Sequence, residues 1–436
     1  MRKLLSSLLF LPILGVNAQV SSDVKSNFNA MFRDSTLRID YNFTGTSQTQ
    51  EIALDELHVS KGWYGRRVNM QKLPLAGNGQ IVMKDSQSGR EIYKASFSTL
   101  FQEWQTSEEA TQVRKSFENT FQLPFPRRDA KVEVTLFNTH REPIYKFEHQ
   151  VKVDDILIRP LPTLPQHPYK YIHHGGESNK CIDVAIVAEG YTAAESNVFY
   201  ADAERATQEI LKYKPFSDFK DRFNFVAVAV PSLESGVSIP HNNDWKQTAL
   251  HSNFDTFYSK RYLTTLKLKA LNDALAGVPY EHILILANTS NYGGGGIYNS
   301  YTLSAAHNEH FLPVTVHEFG HSFGGLADEY FYDDQYVNYY HPNIEPWEQN
   351  ITTLARFSEK WKDMLPPKRK IPTGTDDTTD SDTQKIGVYE GGGYMSKGVY
   401  RAFRNCRMRT NEVPVFCAVC ERALRRLIEF YTTPQP

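Results

Sequence analysis

The stretch Val316-His317-Glu318-Phe319-Gly320-His321-Ser322-Phe323-Gly324-Gly325-Leu326-Ala327-Asp328-Glu329-Tyr330 decides how the chain is read. Its core is His-Glu-x-x-His. On an α-helix, positions i and i+4 share a face about one turn apart. His317 and His321 can therefore offer two imidazole nitrogens to one zinc ion, about 2.0–2.1 Å from each. Glu318 sits beside them, placed to take a proton from a zinc-activated water. Two histidines and one carboxylate leave a fourth zinc position open, as catalysis requires. Upstream, Phe311 to Val316 supplies apolar residues at helical spacing and a start for the helix. Downstream, Gly324-Gly325 is expected to end it and turn the chain back, delivering Asp328 and Glu329 where a third ligand is needed.

The helix and turn resemble those of metzincin peptidases, which place the third ligand six residues beyond the second His. Ala327 occupies that position here and cannot bind metal. Asp328 lies one residue later, and the glycine pair can absorb the extra residue. Asp328 is the expected ligand, with Glu329 the alternative and His341 a more distant one.

Working outward, residues 173–436 read as one catalytic unit of alternating strands and helices. Strands are expected at Ile182–Ala188, Phe223–Val230 and His282–Ala287. Helices are expected at Ala193–Tyr213 and Asp255–Ala274. The glycine run Tyr292–Tyr298 leads into an exposed edge strand ending near Leu303, open to a peptide substrate by backbone pairing. The Pro-rich segment 159–172 reads as an extended linker.

Residues 19–158 read as a β-rich accessory domain of sandwich type. Leu37–Phe43 alternates apolar and polar residues, as a half-buried strand does. Shorter strands are expected at Glu51–Leu54, Gln80–Lys84 and Glu91–Phe97, then a hairpin of Lys131–Phe137 with Ile144–Val151. A helix is expected near Ser107–Thr120. The role of this domain is scaffolding or the binding of substrate or glycan. Residues 1–18 have a basic start, an apolar run from Leu4 to Val16 and a small-residue end at Ala18. They read as a cleaved secretory signal, which places the mature protein in the periplasm or outside the cell. The apolar run is shorter than the ~20 residues a membrane span needs.

Lys plus Arg number 48 against 50 Asp plus Glu, which offers no basic surface for nucleic acid. The acidic run Gly374–Asp382 fits no calcium-loop spacing and reads as a solvated loop.

With Glu189-Gly190-Tyr191-Thr192, Tyr292–Ile297, His317–Tyr330, Tyr389–Arg401 and Cys406-Arg407-Met408-Arg409 taken together, the chain resembles the IgA-peptidase family of secreted zinc metallopeptidases, common in gut Bacteroidetes and some clostridia. The resemblance implies an α+β architecture: a zincin-like, metzincin-type catalytic domain preceded by an all-β domain. It implies zinc as cofactor, His317, His321 and Asp328 as its ligands, and Glu318 as general base and acid. The implied activity is endopeptidase cleavage of host or dietary proteins or glycoproteins, with immunoglobulin A a candidate through the family's name. The competing reading is an exported protein- or glycan-binding protein whose metal site is structural. Met408, favoured by the resemblance, or Met395 is expected beneath the metal. Tyr394 and Tyr400 are candidates for oxyanion stabilisation. Of Cys181, Cys406, Cys417 and Cys420, Cys406 is expected to pair as a disulfide with Cys417 or Cys420; Cys417-Ala418-Val419-Cys420 also resembles a redox pair or half of a structural zinc site, but no second Cys-x-x-Cys is present and the exported context favours disulfides or free thiols.

Overall fold

The computed structural model describes residues 28–332, 339–374 and 385–435. The expected signal segment, and the acidic run from residue 375 on, lie outside them.

A short helix α1 (Phe28–Met31) leads into β1 (Phe32–Gly45), followed by β2 (Gln50–Lys61), β3 (Gly79–Asp85) and β4 (Glu91–Phe97). After helix α2 (Leu100–Trp104) come β5 (Lys115–Pro126), β6 (Ala130–Phe137), β7 (Pro143–Val151) and the two-residue β8 (Arg159–Pro160). They form two four-stranded sheets, ordered β5-β1-β2-β8 and β4-β3-β6-β7. Rings lock the sheets face to face: Phe97 lies 4.5 Å from Phe121 and Tyr41 lies 6.1 Å from Phe147, centroid to centroid. Leu37, Ile39, Tyr41 and Phe43 alternate into that interior and are all fully buried.

The polar residues between them are not all solvated. Arg38 and Asp40 are also buried, because the outer face of β1 is covered by the second half of the chain. Arg38 donates to Asp40 at 2.9 Å and to Asp273 at 2.6 Å. The expected helix at Ser107–Thr120 is not formed. Thr99 instead caps the earlier α2, with Gln102 N–H on its hydroxyl at 3.2 Å. Only a 3₁₀ turn, Glu109–Thr111, follows before β5. Phe117 and Asn119 alternate inward on β5, whose register along β1 prevails over the local helical pattern.

The Pro-rich segment contributes an edge strand at each end. Arg159–Pro160 pairs with β2, where a proline at an edge costs no ladder bond. Tyr169–His174 (β9) pairs antiparallel with the sheet of the second half. That sheet contains β10 (Ile182–Glu189), β11 (Phe223–Val228), β12 (His282–Ala287), β13 (Gly294–Ile297) and β14 (Tyr301–Ala305), in the order β13-β14-β12-β10-β11-β9. β10, β11, β12 and β14 run parallel and are buried throughout. Helices α3 (Ser196–Lys212) and α4 (Leu268–Ala274) precede α5 (Phe311–Ser322). Phe199 of α3 and Val316 and Phe319 of α5 pack into one apolar cluster with Val184, Ile186 and Leu284 of the sheet. The alternate sheet residues Ala185, Val187, Val226 and Ile285 join a cluster continuous with the sandwich interior. A three-stranded sheet of β15 (Ile351–Thr352), β16 (Tyr389–Gly392) and β17 (Met395–Arg401), then α6 (Ala418–Thr432), completes the chain.

The helix expected at Asp255–Ala274 is α-helical only from Leu268. Before it, Thr264 N–H bonds Asn253 O at 3.2 Å and Thr265 N–H bonds the Tyr301 hydroxyl at 3.1 Å, so this backbone is committed to neighbouring segments. The glycine run forms a hairpin rather than one strand. β13 is the edge, β14 is buried, and a bridge from Tyr262 covers the edge at Gly294. Among the described residues no helix is long and apolar enough to cross a membrane.

Candidate active site

Helix α5 ends where the glycine pair predicts. Gly325 has φ +57°, its N–H bonds His321 O at 2.9 Å, and Leu326 N–H bonds Gly320 O at 3.1 Å. This paired closure reverses the chain after the second His and sends Asp328 back across the helix. Asn350, fully buried, holds the return. Its side chain accepts from Ala327 N–H and donates to Ala327 O, both at 2.8 Å.

The result is a triangle of donor atoms. His317 Nε2 and Asp328 Oδ1 lie 3.0 Å apart, His321 Nε2 and Asp328 Oδ1 3.2 Å, and the two Nε2 atoms 3.0 Å. Each imidazole spends its other nitrogen on a carbonyl. His317 Nδ1 donates to Arg407 O at 2.9 Å, and His321 Nδ1 donates to Leu326 O at 2.6 Å. In neutral imidazoles both Nε2 atoms then carry lone pairs, aimed at each other and at a carboxylate oxygen. Three acceptors converging with no proton among them fit a cation. The separations approach the edges of about 3.3 Å expected for tetrahedral donors around zinc.

The charges say the same. Burial pulls the Asp328 carboxyl upward, but the adjacent His321 and His317 outweigh it and hold the group well below the usual carboxylate range. Burial works against the His321 cation, yet Asp328 prevails and pushes His321 up to about 9. Without a metal, the cluster therefore recruits a proton, which metal binding would displace. Burial raises the Glu318 carboxyl above its ordinary value, opposed by the two histidines.

Gly320 faces the chain passing beneath the helix, where a Cβ would lie 2.6 Å from Met408 Sδ. Met408 is fully buried, and its carbonyl accepts from Glu329 N–H at 2.8 Å. Met395 instead begins β17. On the open side, the β13 glycines come so close that a Cβ on Gly296 would overlap Glu318 O and stand 2.9 Å from His321 Cβ.

The structure separates the alternatives for the third position. Glu329 points away from the histidines and accepts from Asn350 Nδ2 at 3.0 Å and Cys420 Sγ at 3.3 Å. His341 lies elsewhere, stacked on His140 at 3.8 Å. The Tyr394 hydroxyl donates to Asp328 Oδ2, the carboxylate oxygen turned from the histidines. Tyr394 is held there by Gly393 N–H on Asp328 O at 2.8 Å and its own N–H on Tyr330 O at 3.1 Å. Tyr400, on β17, pairs with Glu390 and Thr352 and is not among the residues that line the cleft.

The donor triangle opens into a cleft of about 1130 Å³, one wall of which belongs to the N-terminal half: Asn78, Ser98, Thr99 and Glu103. Tyr262 donates to Glu103 at 2.7 Å across the cleft mouth. Tyr330, Tyr332 and Arg409 line the same space. Sequence reading missed Glu103 altogether, since no motif joins it to a helix more than two hundred positions away. The expected disulfide is also absent: all four cysteines are buried thiols, with Cys406 Sγ 3.8 Å from Cys420 Sγ.

Comparison with known proteins returns two family matches. Residues 171–382 and 375–428 match the family described as IgA Peptidase M64, and residues 27–148 match the Peptidase M64 N-terminus. No curated protein matches the chain. The catalytic-family matches together cover more than half the chain and include the whole donor triangle, and the chain accordingly belongs to the IgA peptidase M64 family, whose members are metallopeptidases.

Proposed function

We propose that the protein is an exported zinc metalloendopeptidase with a zincin-like catalytic unit, acting in the periplasm or outside the cell. The observation that carries this reading is the convergence of His317 Nε2, His321 Nε2 and Asp328 Oδ1, with Glu318 beside them in an open cleft. These three atoms would hold the ion. Zinc there would supply Lewis acidity and would acidify the attacking water.

Glu318 receives the proton of the attacking water and returns it to the leaving amine. Arg407 O and Leu326 O keep the histidines in the tautomers that present Nε2. Tyr394 serves Asp328 through hydrogen bonding. A polypeptide enters the cleft lined by the donor triangle and by the wall carrying Glu103. Host or dietary proteins and glycoproteins are the substrate class, with immunoglobulin A a first candidate.

The test is digestion of a mixed peptide library by wild type and Glu318→Gln, each with and without a zinc chelator. Cuts made by wild type and lost in both controls are expected. Wild type loaded with zinc that cuts neither the library nor immunoglobulin A would overturn the reading in favour of a binding protein.

A further inference from the structure

The second buried cluster lies directly behind the donor triangle. Glu329, Cys406, Cys417 and Cys420 bring one carboxylate oxygen and three sulfurs within 4.8 Å of one another, and all four residues are buried. They come from three separate segments: the return after α5, the stretch preceding Met408, and the start of α6.

The spacing within the cluster excludes one explanation and fits another. A disulfide holds its sulfurs about 2.05 Å apart. Cys406 Sγ and Cys420 Sγ stand 3.8 Å apart. Four donors around a tetrahedral zinc with Zn–S of about 2.3 Å place adjacent sulfurs about 3.8 Å apart, and sulfur and oxygen about 3.6 Å apart. Cys420 Sγ lies 3.3 Å from Glu329 Oε1.

Independent support comes from the carboxylate itself. Glu329 is fully buried, and its Oε2 has no hydrogen-bond partner. A buried carboxylate without a counter-charge is costly, whereas a cation among the sulfurs would supply one. Arg401 and Arg409 act electrostatically on Glu329 and would offset the excess negative charge of three thiolates and a carboxylate around a divalent ion.

We propose that Glu329, Cys406, Cys417 and Cys420 form a second, structural zinc site with a closed Cys₃Glu ligand set. Three thiols release their protons on binding, and no position remains for a substrate. The site ties together the three segments that lie behind the catalytic cluster. Because Asp328 and Glu329 are consecutive, it also anchors the chain that carries Asp328. The same coordination would keep the cysteines from oxidising in an exported protein.

The experiment is metal analysis of the full mature chain purified without chelator, wild type beside a His317→Ala/His321→Ala double variant. Two zinc ions per wild-type chain and one per double-variant chain are expected. X-ray absorption of the variant should show three sulfur scatterers near 2.3 Å and one lighter atom. A folded double variant without zinc, or with zinc bound to no sulfur, would overturn the proposal. So would a two-hydrogen mass deficit on the peptides carrying Cys406 and Cys420. Should the double variant not fold, wild type alone decides: two ions with sulfur in the averaged shell support the site, and one ion without sulfur refutes it. One ion bound through sulfur in wild type would instead count against the catalytic zinc, so the two readings fail separately.

Discussion

Replacing Tyr394 by Phe isolates a single bond to the proposed zinc ligand. The Tyr394 hydroxyl donates to Asp328 Oδ2, while Oδ1 faces the two histidines. The substitution keeps the ring, whose centroid lies 5.3 Å from that of Tyr330, and leaves the backbone bonds of Gly393 and Tyr394 in place. What is lost is a buried, charge-assisted hydrogen bond, worth about 1.5–3 kcal/mol. Oδ2 is then unpaired, and the carboxylate is free to rotate away from the histidines. Removal of such an outer partner commonly weakens metal binding about 10–100-fold, the same range in energy. Zinc affinity measured by competition with a calibrated chelator should fall by that factor. At saturating zinc, kcat/KM should return to within a fewfold of wild type. The opposite pattern would refute the reasoning: unchanged zinc affinity with a large loss of kcat would make the phenol a donor to the transition state.

Three further outcomes follow from the geometry. Glu318→Gln should retain zinc while kcat falls about 10²–10⁴-fold, the range for loss of a positioned general base; metal analysis and peptide cleavage measured together check it. Gly296→Ala places a methyl group against Glu318 O and His321 Cβ, and should destabilise the fold by at least the ~1–3 kcal/mol typical of overpacking, read as a lower urea midpoint. Asp183 is buried, which raises its carboxyl to about 6 despite a hydrogen bond from Asn224. A folded-state value above the unfolded one means stability present below pH ~4 and lost as pH rises through ~6, by about 3 kcal/mol. Urea unfolding at both ends of that window should show Asp183→Asn free of this loss; equal slopes in variant and wild type would refute it.

Much of the catalytic half was legible because its signals are local. The runs Ile182–Ala188 and His282–Ala287 are apolar throughout, as strands buried on both faces must be. His317-Glu318-x-x-His321 and the glycine pair specify a helix and its stop within a few residues. Elsewhere, tertiary pairing prevails over local pattern. Residues 115–120 have a helical reading, yet they form a strand because β1 needs a partner on that side. Asp255–Leu266 is drawn out of helix by bonds to Asn253 and Tyr301. Composition alone could not assign the N-terminal half to the cleft, since Glu103 reaches it only through the packing of the two halves of the chain. Asp328 was chosen over Glu329 on spacing, and the structure puts the Asp328 carboxylate beside the histidines; what spacing could not reveal was an occupation for Glu329.

That occupation shows in the opposite directions taken by two consecutive side chains. Asp328 faces the histidines, and Glu329 lies in the interior with Cys406, Cys417 and Cys420. The backbone between them is fastened on both sides, by Gly393 N–H on Asp328 O and by Glu329 N–H on Met408 O, each at 2.8 Å. Asn350 grips the Ala327 backbone just before Asp328 and the Glu329 carboxylate just after it. In the proposed site, a ligand one residue beyond the metzincin position would lie on a longer loop, with more freedom to lose on ordering. Burying the next side chain in a fixed cluster offsets that freedom. The second acid and the cysteines are thus best understood as the support that lets Asp328 meet the histidines from a displaced position.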